Sequence, residues 1–198
     1  MQDTGKQNWE YAHRLFQCIA AASHPPRVEE LSEFLAFDFD TESSPIFWVY
    51  WRLEDPAHTV RSTCSSLFTV VDIGGCRVIQ FAQFSVKEYL TSKWLTEAKD
   101  TISRFDVSMT PANTIVAQTC LGVLHLDENV AEEDLEVFPL AGYAAKKWAA
   151  HAWIKDVSPK IQNEMRRLFD PNRHSTQHGY FERSPLVVPF LNFQSRRW

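Results

Sequence analysis

Residues 56–95, PAHTVRSTCSSLFTVVDIGGCRVIQFAQFSVKEYLTSKWL, decide the fold. Pro56 is a favourable first helical residue and Asp55 before it is a favourable cap, so a helix is predicted to run to about Phe68. Gly74-Gly75 then separates two short strand-like runs, which is a β-hairpin signal. The stretch therefore predicts a helix followed by a hairpin whose strands are Thr69–Asp72 and Arg77–Phe81.

Helices are predicted on both sides of this hairpin. Ser85 and Glu88 have the spacing of a capping box, so a helix is predicted from Ser85 to about Leu95. Upstream, apolar residues recur at helical spacing over 8–22 and 27–36. Three helices, a hairpin and a fourth helix are the element order of a winged-helix domain.

The second helix, 27–36, is predicted to have one apolar and one acidic face. Arg27 stands where a Ser or Thr cap would be more favourable. The side chains predicted to point inward are Val28, Leu31 and Leu35. Those predicted to face water are Glu29, Glu30 and Glu33.

The whole chain divides into four parts by composition and periodicity. We predict a winged-helix domain over 8–95, a polar linker over 96–110, a helical domain over 111–171 and an irregular tail over 172–198. Prolines open three predicted helices in the helical domain, and an acidic loop is predicted over 127–136. The predicted fold class is mainly α, a winged helix followed by an α-helical hairpin bundle.

Charge argues against a nucleic-acid surface. Residues 8–95 carry seven Lys and Arg against eleven Asp and Glu, and the whole chain has a net charge of −5. A winged helix that binds DNA places its third helix in the major groove and neutralises several phosphates. The DNA-contact candidates in that helix and the wing are His58, Arg61 and Arg77. A winged-helix nucleic-acid-binding protein is therefore the alternative interpretation.

The cysteines and the apolar runs bear on the compartment. Cys18, Cys64, Cys76 and Cys120 form no C-x-x-C pair, and each is predicted to be a buried, reduced thiol. No apolar run approaches the length of about 18 residues that a membrane span needs. The sequence therefore predicts an intracellular, cytoplasmic protein with no membrane partner.

Motifs that carry chemistry are absent from the sequence. It contains no GxxxxGK[ST], GxGxxG or GxSxG motif. His174 and His178 have H-x3-H spacing but lack further ligands at suitable spacing, so no metal site is predicted. We expect no catalysis, no cofactor and no small-molecule substrate; a hydrolase fragment is a third, weaker hypothesis.

Several stretches carry a resemblance to a known family. They are YAHRLFQ (11–17), RVEEL (27–31), VRSTCSSLFTVV (60–71), FAQFSVKEYLTS (81–92), CLGVLHLD (120–127), FPLAGYAAKKW (138–148) and IQNEMRRLFDP (161–171). Over about 8–171 the chain resembles the winged-helix region, of the inositol-deacylase type, and the following helical region of fungal NACHT proteins. These are STAND-class, NOD-like proteins. The resemblance implies an intracellular receptor switched by ATP and ADP, but no lipase activity.

The chain departs from the family plan at identifiable points. It lacks the NACHT domain and the C-terminal repeats, often ankyrin, so we expect a truncated fragment. The resemblance implies a His in an F-x-H-x-S pattern that approaches the ADP β-phosphate, where this chain has Gln83. Gln83 is thus interpreted as a vestigial nucleotide-sensor position.

These observations lead to one leading functional hypothesis. It is a non-catalytic regulatory and interaction module, the lid and connector between a NACHT NTPase and C-terminal repeats. The partners that the resemblance implies are proteins, namely a NACHT domain in cis or in trans and a repeat domain.

Overall fold

The computed structural model describes residues 4–39, 44–64, 66–98, 101–126 and 138–170. This part of the chain is mainly helical and contains two antiparallel sheets of two strands each. The α-helices are α1 (Thr4–Ala21), α2 (Val28–Leu35), α3 (Pro56–Cys64), α4 (Phe84–Leu90), α5 (Lys93–Glu97), α6 (Met109–Leu126), α7 (Ala141–Ala152) and α8 (Gln162–Leu168). The strands are β1 (Phe37–Asp38), β2 (Ile46–Phe47), β3 (Phe68–Ile73) and β4 (Cys76–Phe81). Short 3-10 helices cover Val49–Trp51, Thr101–Phe105 and Ser158–Ile161.

Some predicted features fall outside these residues. They are the acidic loop over 127–136, the tail over 172–198, and the histidines His174 and His178.

The predicted hairpin is confirmed. Strands β3 and β4 pair from Phe68↔Phe81 to Ile73↔Cys76, with Gly74 and Gly75 between them. Both glycines have positive φ, 61° and 82°, as a two-residue type I′ turn requires. The preceding helix ends at Cys64 and not at Phe68, because Phe68 is already paired in the sheet.

Substituting a turn glycine should destabilise the hairpin. Gly75→Ala is expected to cost about 1–2 kcal/mol in the free energy of unfolding, because a Cβ is strained at positive φ. Gly142→Ala is the matched control: Gly142 lies in the first turn of α7, and a Cβ there would meet no atom within 4 Å. Urea denaturation should show this control to be neutral or slightly stabilising. Equal losses for the two variants would contradict the assigned turn.

The helix predicted from Ser85 to Leu95 is two helices, and its predicted capping box is not formed. Gln83 is the N-cap of α4 and its side chain makes no capping bond. The Ser92 hydroxyl donates to the Tyr89 carbonyl at 2.7 Å and accepts from the Leu95 N–H at 3.4 Å. Because Ser92 thus ends one helix and caps the next, the chain bends between α4 and α5.

A single apolar cluster joins the helices on both sides of the predicted linker. Helix α1 packs against α2 and α6, and α6 packs against α7 and α8. Within 96–110, Val107 is buried in this cluster and its N–H donates to the Leu90 carbonyl at 2.9 Å. The linker is therefore not wholly polar as predicted; the domain boundaries themselves stay a prediction.

Candidate functional site

The predicted nucleotide-sensor position lies on the surface. Gln83 is exposed between β4 and α4 in extended backbone, with φ −139° and ψ 144°. Its Oε1 accepts from the Ser85 hydroxyl at 3.5 Å, a contact at the limit of hydrogen bonding. The Gln83 side chain is therefore only weakly held, and it faces solvent where a partner domain could reach it.

The predicted DNA contacts lie on two elements, helix α3 and strand β4. His58 is exposed in the first turn of α3, and its backbone N–H donates to Asp55 Oδ1 at 3.0 Å. Arg77, on β4, pairs with Glu29 of α2 at 3.2 Å across the surface. Arg61 belongs to α3, and its side chain lies outside the described part of the structure. The Arg77 charge is thus partly neutralised by an acidic neighbour.

An apolar cleft of about 570 Å³ opens between α1, the α4–α5 pair and the 3-10 helix Thr101–Phe105. This volume lies within the 300–1,000 Å³ usual for ligand pockets. The polar groups of the lining are the hydroxyls of Ser85 and Tyr89, and no charged side chain contributes to it. The lining residues are Phe16, Leu67, Ser85, Val86, Tyr89, Leu90, Leu95, Ile102 and Phe105.

Exposed aromatic side chains lie at the edge of this apolar cleft. Tyr89 is 46% exposed and its ring contacts that of Trp94, which is 61% exposed, at a centroid distance of 5.6 Å. Ile102 on the 3-10 helix is also exposed. Contiguous apolar surface of this kind marks binding surfaces more often than isolated exposed side chains do.

A buried carboxylate connects α2 to the start of α7. Glu33 is 1% exposed, forms an ion pair with Arg52, and accepts from the Leu140 N–H at 2.6 Å. The Arg52 guanidinium also lies over the rings of Phe47 and Phe138, 5.2 and 4.7 Å from their centroids. Burial raises the pKa of Glu33 above its ordinary value, although the Leu140 N–H and Arg52 act in the opposite direction.

The prediction that Glu30 and Glu33 face water is wrong. Helix α2 is enclosed by α1, α3 and β4, so Glu30 and Glu33 are buried as well, whereas Glu29 is about half exposed. Glu30 is 4% exposed, accepts from the Arg27 backbone N–H at 2.8 Å, and pairs with the Arg27 guanidinium at 3.0 Å. Arg27 is therefore a better helix start than its residue type predicts.

A second buried polar network holds α6, α7 and the α1–α2 loop together. Asn113 donates to the Met109 carbonyl at 2.7 Å, so its Oδ1 accepts from His151 Nδ1–H at 2.8 Å. His151 Nε2 then accepts from the Tyr143 hydroxyl at 2.8 Å, and that hydroxyl accepts from the Ser23 N–H at 3.1 Å.

This network requires a neutral His151. Burial, with a smaller effect from Lys147, lowers the pKa of His151 to about 4. Burial also raises the pKa of Tyr143 to about 12. Both side chains are thus uncharged at neutral pH, and the network is a structural tie with the tautomer fixed by Asn113.

The cysteine prediction is confirmed in part. Cys18 on α1 and Cys120 on α6 are buried free thiols, and burial raises the pKa of Cys18 to about 12. Cys76 is exposed at the start of β4, which corrects the expectation that it is buried. The side chain of Cys64 lies outside the described residues.

Two further searches cover only the described ranges. They contain no group of three or more His, Cys, Asp or Glu placed to hold a metal ion. None of the helices in these ranges is long and apolar enough to cross a membrane.

Comparison with known proteins gives one partial relationship. No known protein family and no solved structure matches the chain. Over 97 residues it is 34% identical to the azaphilone pigments biosynthesis cluster protein L of Monascus ruber. The alignment covers 46% of this chain and 20% of the Monascus protein, so the chain spans about a fifth of the length of the curated relative it matches.

Proposed function

We propose that the chain is a non-catalytic regulatory and interaction module of a STAND-type intracellular signalling protein. In this role the part up to α4 and α5 is a winged helix that closes over a NACHT NTPase domain. Helices α6–α8 connect that lid to C-terminal repeats. The helix, hairpin and helix order and the stretches that resemble the family support this assignment.

The observation that carries the proposal is a continuous line of contacts from the hairpin to α7. The Ile79 N–H of β4 donates to the Pro26 carbonyl at 2.9 Å. The Arg27 guanidinium, at the N-cap of α2, donates to the Pro139 carbonyl at 3.1 Å. Glu33 within α2 accepts from the Leu140 N–H. A displacement of the hairpin would thus act directly on the start of α7, as a connector requires.

Binding assays on the pure chain separate the proposed function from its alternatives. We expect no ATP hydrolysis and no nucleotide binding, because phosphate recognition needs several donors and this chain offers a single lid residue, Gln83. Calorimetry with ADP and with ATP tests this expectation. Micromolar ADP binding by the isolated chain would contradict it.

Nucleic acid should bind weakly and without specificity. Residues 8–95 carry a net charge of −4, from seven cationic and eleven anionic side chains, and Arg77 is engaged by Glu29. Electrophoretic shift assays at physiological salt are expected to show no discrete complex. A sequence-specific complex tighter than about 10⁻⁸ M, the usual limit for specific DNA binders, would favour the nucleic-acid alternative.

Restoring the histidine at position 83 should strengthen binding to an ADP-loaded NACHT domain. Gln83→His adds a protonatable donor toward the β-phosphate, and a charge-assisted hydrogen bond contributes about 1–2 kcal/mol, or about fivefold to thirtyfold in affinity. Calorimetric titration of a fungal NACHT domain with each variant measures the difference. Gln80→His, on β4, is the matched control and should leave the affinity unchanged. Identical affinities for wild type and Gln83→His would contradict the sensor assignment.

A further inference from the structure

We propose that the apolar run over 186–191 of the tail, LVVPFL, docks in the apolar cleft of the same chain. This inference concerns a contact within the chain and does not depend on the function proposed above. It rests on the chemistry of the cleft, the composition of the tail, and the length of chain between them.

The cleft selects an apolar occupant. Its lining comes from four segments: Phe16 of α1, Leu67 before β3, the α4–α5 pair, and Ile102 and Phe105 of the 3-10 helix. The Ser85 hydroxyl offers a polar contact, and no charge is available to hold a polar ligand. Occupancy by aliphatic or aromatic side chains would remove the apolar surface of Tyr89 and Ile102 from water, which favours binding.

The tail contains a segment of matching chemistry. Residues 186–191 are six consecutive residues without a charge or a hydrogen-bonding side chain, and Phe193 follows closely. Pro185 and Pro189 disfavour an amphipathic helix through this run. An apolar run of this length needs cover from water, which the cleft can supply.

The tail is long compared with the folded part of the chain. Fifteen peptide units connect 171 to 186, and a chain of that length spans at most about 50 Å. A folded unit of about 170 residues has a radius of gyration of about 15 Å and thus a diameter of about 40 Å. The tether thus spans a distance comparable to the diameter of the folded part.

Charge favours the tail over a separate ligand. Residues 172–198 carry four Arg and one Glu, whereas 8–171 carry fifteen Lys and Arg against twenty-three Asp and Glu. The basic tail is thus attracted to the acidic body of its own chain. A tether of this length also gives an effective concentration of about 1 mM, so even weak intrinsic affinity populates the docked state.

Cross-linking in the full-length chain tests the contact. A Ser85→Cys, Leu191→Cys variant is prepared with Cys64→Ser and Cys76→Ser, since Cys18 and Cys120 are buried. The matched control keeps Ser85→Cys and places the tail thiol at Ser175→Cys, outside the apolar run. With a short bismaleimide we expect intramolecular cross-linking about fivefold faster for the thiol at position 191 than for the thiol at position 175. Both thiols are tethered to the same chain, so the difference in rate reports docking of the apolar run.

Filling the cleft supplies an independent measurement. Ser85→Trp adds an apolar side chain at the cleft without removing any core residue, and it should raise hydrogen–deuterium exchange of the 186–193 amides. Phe190→Asp should correspondingly increase exchange of the α4 and α5 amides. Equal cross-linking rates for the two thiols would overturn the proposal. Cross-linked dimers as the main product would also overturn it, because they would show that the cleft accepts a second copy. Hydrogen–deuterium exchange that both substitutions leave unchanged would overturn it as well.

Discussion

Replacing Glu33 with Ala is expected to lower the free energy of unfolding by about 3–5 kcal/mol, the usual loss when one partner of a buried ion pair is removed. The substitution leaves the half-buried Arg52 guanidinium without its carboxylate and the buried Leu140 N–H without its acceptor. Because Leu140 lies at the start of α7, the loss should appear as reduced cooperativity between α2 and α7. Chemical denaturation followed by circular dichroism measures it.

Glu29→Ala is the matched control on the same helix. Glu29 pairs with Arg77, and both side chains are about half exposed, so solvent screens the interaction. The expected loss is below about 1 kcal/mol. Glu33→Gln should fall between the two, because an amide oxygen can still accept from Leu140 N–H while the charge is lost. Equal losses for Glu29→Ala and Glu33→Ala would contradict the role assigned to the buried carboxylate.

Acid is expected to destabilise the protein through His151. Its pKa is about 4 in the folded protein and 6.5 for an ordinary histidine, so between these values the unfolded chain binds more protons. The stabilisation is fully present above pH 6.5, falls as the pH is lowered, and amounts to about 3 kcal/mol in total. Protonation places a second N–H against the Tyr143 hydroxyl, which then loses its acceptor.

Comparing variants isolates the contribution of this histidine. His151→Gln should be less stable at pH 7 and should lose less stability than wild type between pH 6.5 and 4.5. His58→Gln, at an exposed histidine of α3 outside this network, is the matched control. Urea denaturation at a series of pH values measures both slopes. A wild-type slope in His151→Gln would show that other groups govern acid sensitivity.

Local chemistry made part of this fold predictable from the sequence. The hairpin follows from Gly74 and Gly75, whose positive φ values no other residue type adopts as readily. Caps and prolines predict the starts of α2, α3 and α6 to within a few residues of where these helices begin in the structure. The break between α4 and α5 does not follow from the sequence pattern. It depends on one side chain, because the Ser92 hydroxyl donates to the Tyr89 carbonyl in place of an α-helical backbone N–H.

Long-range contacts made the candidate site hard to predict. Glu33 was predicted to face water because its partners, Arg52 and Leu140, lie 19 and 107 residues away in sequence. The apolar cleft draws its lining from four separate segments, and no one of them has a distinctive pattern. A sequence signal did exist for α2: Phe34 lies beside its predicted apolar stripe and widens it, which indicates a helix buried over much of its surface.

The most direct test of the proposed function is calorimetric titration of the wild-type chain into an ADP-loaded NACHT domain from a fungal STAND protein. The proposal predicts a saturable one-to-one complex whose affinity falls when ADP is omitted, because the winged helix closes over the nucleotide-bound state. It also predicts that the chain by itself neither binds nor hydrolyses nucleotide. Absence of any complex at about 100 μM, well above typical regulatory affinities in the micromolar range, would contradict the assignment as a NACHT lid and connector.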